Sequence, residues 1–136
     1  VGMGTLLEEG IGDTMRVSLT GDPVDEVYCA KAILKSLGLR QEGIDVVACP
    51  TCGRTEIDLI NMVKEAEERF KSLDFEGKIA IMGCRVNGPG EAQEADYGIT
   101  GGNGRGVIFK KGKVVETVPE TELLDALIDL IERDHR

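Results

Sequence analysis

Three thiols and one carboxylate carry the chemistry this sequence offers. Cys49-Pro50-Thr51-Cys52 sets two cysteines one tight turn apart, and Gly83-Cys84-Arg85-Val86-Asn87-Gly88-Pro89-Gly90-Glu91 answers it later in the chain. Cys84 follows an apolar run, Ile79 to Met82, and Glu91 returns a carboxylate seven positions after it. Laid side by side in a sheet, the two stretches bring together three soft sulfur ligands and one oxygen ligand. Thiolate sets of this kind select iron–sulfur clusters or zinc. Glycine-rich loops suit a cluster, because bare backbone can approach the sulfides and donate N–H groups; Gly53, Gly83, Gly88 and Gly90 could serve that end. Pro50 and Pro89 stiffen the two loops by fixing φ. With three thiolates, one iron of a 4Fe–4S cluster lacks a sulfur ligand, and Glu91 could fill that position with an oxygen donor that a substrate oxygen displaces. Zinc would want a fourth Cys or His, and the only histidine, His135, stands in the C-terminal tail. A thioredoxin-like redox pair would leave Cys84 and Glu91 without a role. The cluster is the preferred reading, followed by zinc and then the redox pair.

The elements that must position these residues follow from periodicity. Ile44 to Ala48, apolar apart from Asp45, reads as a buried parallel strand ending at Cys49. A helix over about Thr55 to Ser72 follows, with Ile57, Ile60, Val63, Ala66 and Phe70 on its inner face. Lys78 to Met82 is a second buried strand, again running toward a cysteine. Both cysteine sites therefore fall at equivalent ends of two strands joined by a helix, the carboxyl end at which open α/β sheets bind ligands. Upstream, Thr14 to Leu19 alternates as a strand does, Asp22-Pro23 gives an N-cap and first helical residue, and Val24 to Leu37 continues at helical spacing to Gly38. Downstream, Tyr97 to Thr100 and Val107 to Lys110 read as strands. Gly101 to Gly106 between them is a turn or a loop approaching the metal site, since no helix follows to make it a nucleotide-binding loop. Lys111-Gly112 signals a tight hairpin into a return strand, Lys113 to Val118. A helix over Glu120 to Glu132 closes the chain, with Leu123, Leu124, Leu127, Ile128 and Ile131 inward.

Composition bounds the rest. At 136 residues the chain is one domain, or one plus part of another. The apolar fraction is 41% but aromatics are only 4% and Trp is absent, so aliphatic side chains must do most of the packing. A net charge of −9 argues against a general nucleic-acid binder. No apolar run approaches the ~20 residues that span a bilayer, and no charged-then-apolar secretory signal opens the chain. A soluble cytoplasmic protein with neither nucleic acid nor membrane as partner is expected. In that reducing compartment its cysteines are thiols or metal ligands rather than disulfides. Cys29, inside the helical pattern, is expected to be a small core side chain. Val1 to Glu9 holds no initiator Met in front of it, so the chain is expected to begin inside a larger protein.

The motifs ACPTCGRTEID at 48–58, GCRVNGPGEA at 83–92 and GITGGN at 98–103 together resemble the C-terminal part of the 4-hydroxy-3-methylbut-2-enyl diphosphate synthase family, reductive enzymes of the methylerythritol phosphate route to isoprenoids. The opening GMGTLLEEGIGDTMRVSLTGDP resembles the last strand-and-helix unit of that family's N-terminal TIM barrel. The resemblance implies an α/β fold in two parts. Residues 1–40 would be the last βα unit of an incomplete barrel. Residues 41–136 would be a 4Fe–4S domain with a mixed sheet and flanking helices, like those of sulfite and nitrite reductases. It places the cluster on Cys49, Cys52, Cys84 and Glu91, with Glu91 also the exchangeable, catalytic ligand. Arg16 and Ser18, near the carboxyl end of the barrel strand, match positions that face a cyclic diphosphate substrate, and Asn87 either touches substrate or braces its loop. The implied reaction is reductive ring opening and dehydration of 2-C-methyl-D-erythritol 2,4-cyclodiphosphate, with electrons from reduced flavodoxin or ferredoxin, in a homodimer. Most of the barrel is absent from the chain, so alone it is expected to be inactive. Arg105, Lys110, Lys111 and Lys113 form a basic stretch that either docks the acidic donor or is a solvated hairpin. The rival classes are a zinc-stabilised interaction domain and a non-enzymatic electron-transfer module.

Overall fold

The computed structural model of the chain describes residues 1–84, 90 and 92–135. They divide into two compact units, Val1–Glu42 and Gly43–Arg136.

The first unit holds helix α1, Gly2–Glu8, which the sequence reading did not anticipate, and helix α2, Pro23–Ser36. The α2 start is as read: Asp22 accepts from the Val24 N–H at 2.9 Å, and Pro23 occupies the first helical position, where no N–H is needed. Gly38, with φ at +68°, takes the left-handed conformation that ends helices. Two expectations fail here. Thr14 to Leu19 forms no strand: a strand exists through ladder hydrogen bonds, and among the described residues this segment enters no ladder. Cys29 is half-buried rather than a core residue, since no residue of this unit is buried at all.

The second unit is a five-stranded mixed sheet in sequence order: β1 Ile44–Ala48, β2 Gly77–Met82, β3 Tyr97–Gly102, β4 Arg105–Lys110 and β5 Lys113–Pro119. The first three strands run parallel, and β4 and β5 pair antiparallel. Helix α3, Leu59–Phe70, crosses between β1 and β2, and helix α4, Leu123–Asp134, closes the unit after a 3-10 turn at Glu120–Glu122. The residues from Thr55 to Asp58, read as helix, instead lead into α3, which Asp58 caps. Both antiparallel connections are two-residue turns with positive φ at both positions, Asn103-Gly104 and Lys111-Gly112, whose twist matches that of the flanking strands.

Alternation sorts the core. Ile79 and Ile81 of β2, Tyr97 and Ile99 of β3 and Ile108 of β4 share one face and pack with Leu59, Ala66 and Phe70, and with Leu123, Leu127 and Ile131 of α4. Ala80, Met82 and Ala95 form a smaller cluster, with Cys49 packed against it. At the amino end of β3, Tyr97 Oη donates to Asp134 at 2.8 Å, and Lys110 Nζ reaches the same carboxylate at 2.7 Å. That network pins the end of α4 to the sheet.

Candidate metal centre

Parallel pairing decides where the thiols go. β1 and β2 are adjacent, with Ala48 opposite Ile81, so Cys49 and the Gly83-Cys84 pair leave the same sheet end side by side. The Cys49 N–H still donates to Ile81 C=O at 3.3 Å, one more rung of the ladder. The Gly83 N–H donates to Cys49 Sγ at 3.2 Å. That contact joins the two cysteine loops directly, through the kind of N–H to sulfur bond that tunes cluster sulfurs.

Each thiol has a distinct setting. Cys84 is 6% exposed, and its carbonyl accepts from the hydroxyl of Thr100, itself fully buried, at 2.7 Å. Cys52 is exposed; hydrogen bonding from the Arg54 backbone holds its thiol below the usual range. Cys49 is half-buried. The Cys52 loop is closed at both rims: Cys52 N–H donates to Thr55 Oγ1 and Thr55 N–H donates to Cys52 C=O, each at 3.0 Å.

No three of the described Cys, His, Asp and Glu side chains stand close enough together to hold a single ion. A cubane cluster puts each ligand on its own iron, so its thiolates stand wider apart than the donors of one tetrahedral ion, each about 2.3 Å from the metal. Thiolates carried by two loops at one sheet end, with a backbone N–H already aimed at sulfur, fit a cluster by donor type.

Glu91 and Asn87 lie outside the described residues. Arg16 and Ser18 are exposed, on the segment between the two helices of the first unit. The basic stretch proves not to be one patch. Arg105 begins β4 beside the Asn103-Gly104 turn, at the cysteine end of the sheet. Lys110, Lys111 and Lys113 sit roughly 17 Å away at the far end of the strand, at ~3.4 Å per residue. Lys110 is moreover committed to Asp134. A strand carries its two ends apart, which linear proximity in sequence conceals.

Thr100 and Thr55 are site residues that the sequence reading passed over. Each had a signal: a hydroxyl at the end of an otherwise apolar strand run, and a Thr three residues after Cys52, where side-chain turns form.

Among the described residues no helix is long and apolar enough to cross a membrane. The model of the GcpE protein C-terminal domain matches residues 45–133, and that of the GcpE TIM-barrel domain matches residues 1–31. A relative from Clostridium perfringens, named 4-hydroxy-3-methylbut-2-en-1-yl diphosphate synthase (flavodoxin), is 60% identical over 97% of this chain. Relatives of the same name from Fusobacterium nucleatum and Geobacter sulfurreducens are 56% and 57% identical, each over 98% of the chain. The chain spans 38% of the length of each of these curated relatives.

Proposed function

The chain belongs to the GcpE family, and from that premise we propose that it supplies the 4Fe–4S centre of a 4-hydroxy-3-methylbut-2-enyl diphosphate synthase. The observation that carries this reading is the junction of two cysteine loops at the carboxyl ends of adjacent parallel strands, with Gly83 N–H on Cys49 Sγ. Cys49, Cys52 and Cys84 would hold the cluster, and Glu91 would give the fourth, replaceable ligand. When bound, the cluster supplies single electrons for the reductive opening of 2-C-methyl-D-erythritol 2,4-cyclodiphosphate.

The chain's own residues do the rest. The buried Thr100 hydroxyl fixes the Cys84 carbonyl, and with it the start of the loop that leads to Glu91. Burial of Cys84 shields its sulfur from water, while the exposed Cys52 marks the side open to solvent. Arg16 and Ser18 would face the diphosphate, a double anion suited to a guanidinium and a hydroxyl, and Asn87 would touch substrate or brace its loop. The same proposal includes reduced flavodoxin as donor, as the names of the relatives suggest, with ferredoxin as the alternative. It also includes a homodimer in the cytoplasm and a division between barrel unit and cluster domain at residues 40 and 41.

The test is metal content. The chain is purified without oxygen and assayed for iron, acid-labile sulfide and zinc, after anaerobic reconstitution where needed. About four iron and four sulfide per chain are expected for a 4Fe–4S site. Zinc without sulfide would overturn the reading in favour of a structural domain.

A further inference from the structure

Gly83 stands between Met82, the last residue of β2, and the ligand candidate Cys84, and its φ lies outside the left-handed region. Backbone conformation therefore gives no reason for a glycine there. Space does. A Cβ on Gly83 would stand 2.9 Å from Thr55 Cγ2, and 3.3 Å from both Thr55 Oγ1 and Leu59 Cδ2. The half-buried Thr55 side chain is thus seated on the bare backbone of Gly83. The same side chain closes the other loop, since its hydroxyl accepts from Cys52 N–H at 3.0 Å. The next residue repeats the link, with Glu56 N–H donating to Gly83 C=O at 3.0 Å. Further along the segment, Ile57 fills the space that a Cβ on Gly101 of β3 would need.

We propose that Thr55 is the positioning residue that locks the two cysteine loops together, its hydroxyl holding the Cys52 amide and its methyl seated on Gly83 beside Cys84. Its two functional groups do separate jobs. The hydroxyl sets the pitch of the loop that presents Cys52, and the methyl fixes how closely that loop approaches the one that presents Cys84. The inference rests on the cluster reading for its purpose, but the lock itself is a feature of the cluster-free chain and can be tested there.

Four variants separate the jobs. Thr55→Ser keeps the hydroxyl and loses the methyl. Thr55→Val keeps a methyl and loses the acceptor. Gly83→Ala drives a Cβ into the methyl, and Gly83→Ala combined with Thr55→Ser removes the methyl that it strikes. Amide hydrogen exchange is followed first on the cluster-free chain. In Thr55→Val the Cys52 amide should exchange about five- to tenfold faster, the loss expected for one ordinary hydrogen bond, with the sheet amides unchanged. Thr55→Ser should keep wild-type protection at Cys52. Each chain is then reconstituted with iron and sulfide, and the midpoint potential is measured. Thr55→Val and Gly83→Ala should load less cluster or shift its potential, and the double variant should recover most of what Gly83→Ala loses. Unchanged Cys52 exchange in Thr55→Val, or a double variant no better than Gly83→Ala alone, would overturn the proposal. A wild-type chain that takes up no iron and sulfide would instead overturn the cluster reading, while the exchange data would still decide whether Thr55 locks the loops.

Discussion

Gly106→Ala tests whether glycine on the covered face of this sheet is a matter of space. Gly106 lies in β4 opposite Val118, without a positive φ, so alanine meets no backbone objection there. The obstacle is Leu123, fully buried at the start of α4. A Cβ on Gly106 would stand 2.6 Å from Leu123 Cδ2 and 2.9 Å from Cγ, well inside contact distance. Leu123 is fully buried among core side chains, so its side chain can yield only by displacing its neighbours. Overpacking of that kind costs about 1–3 kcal/mol, and 2 kcal/mol would lower Tm by about 8–16 °C in a unit this small. Gly53→Ala, with nothing within 4 Å of its Cβ and no positive φ, is the control and should stay within about 0.5 kcal/mol of wild type. Thermal and urea unfolding followed by circular dichroism measure both. Leu123→Ala alone should cost about 2–5 kcal/mol. Combined with Gly106→Ala it should cost at least about 1 kcal/mol less than the two single losses added together, because the new methyl enters space the leucine has left. If Gly106→Ala proves as harmless as Gly53→Ala, or the two losses simply add, the steric account is wrong.

Two further outcomes are expected. Burial, reinforced by the hydrogen bond to Asp134, pushes the Tyr97 phenol up to about 12 from its ordinary 10. The fold thus favours the neutral phenol: its contribution is full below pH 10 and is lost as pH climbs from 10 toward 12. Tyr97→Phe should cost about 1 kcal/mol at neutral pH and remove that part of the alkaline loss; wild type and variant falling in parallel between pH 10 and 12 would refute the assignment. Under the proposed function, Glu91→Ala in a complete synthase carrying this domain should cripple turnover while the iron and sulfide content falls far less, and undiminished turnover would sink the exchangeable-ligand role.

Much of the second unit was legible because its signals are local. Five runs bounded by glycine and polar turns correspond to the five strands: β2, β3 and β4 show their burial in their own residue types, while the exposed β5 shows only its β-branched residues, Val114, Val115, Thr117 and Val118. Asp22-Pro23 and Lys111-Gly112 announced a helix start and a turn for equally local reasons, a side-chain acceptor in one case and a tolerance of positive φ in the other. The thiol spacing and the two apolar runs pointed to one sheet end for Cys49 and Cys84, and the parallel pairing of β1 and β2 puts both there. What the sequence could not determine depends on neighbours. Thr14 to Leu19 carries a strand's alternation and no ladder, because pairing is a property of two segments. Arg105 and the three lysines are close in sequence and stand at opposite ends of β4, because a strand is extended. Gly83, Gly101 and Gly106 look like flexible loop residues in the sequence. Only the tertiary structure reveals them as places where Thr55, Ile57 and Leu123 press on bare backbone, since a side chain's absence acquires meaning from what occupies the space.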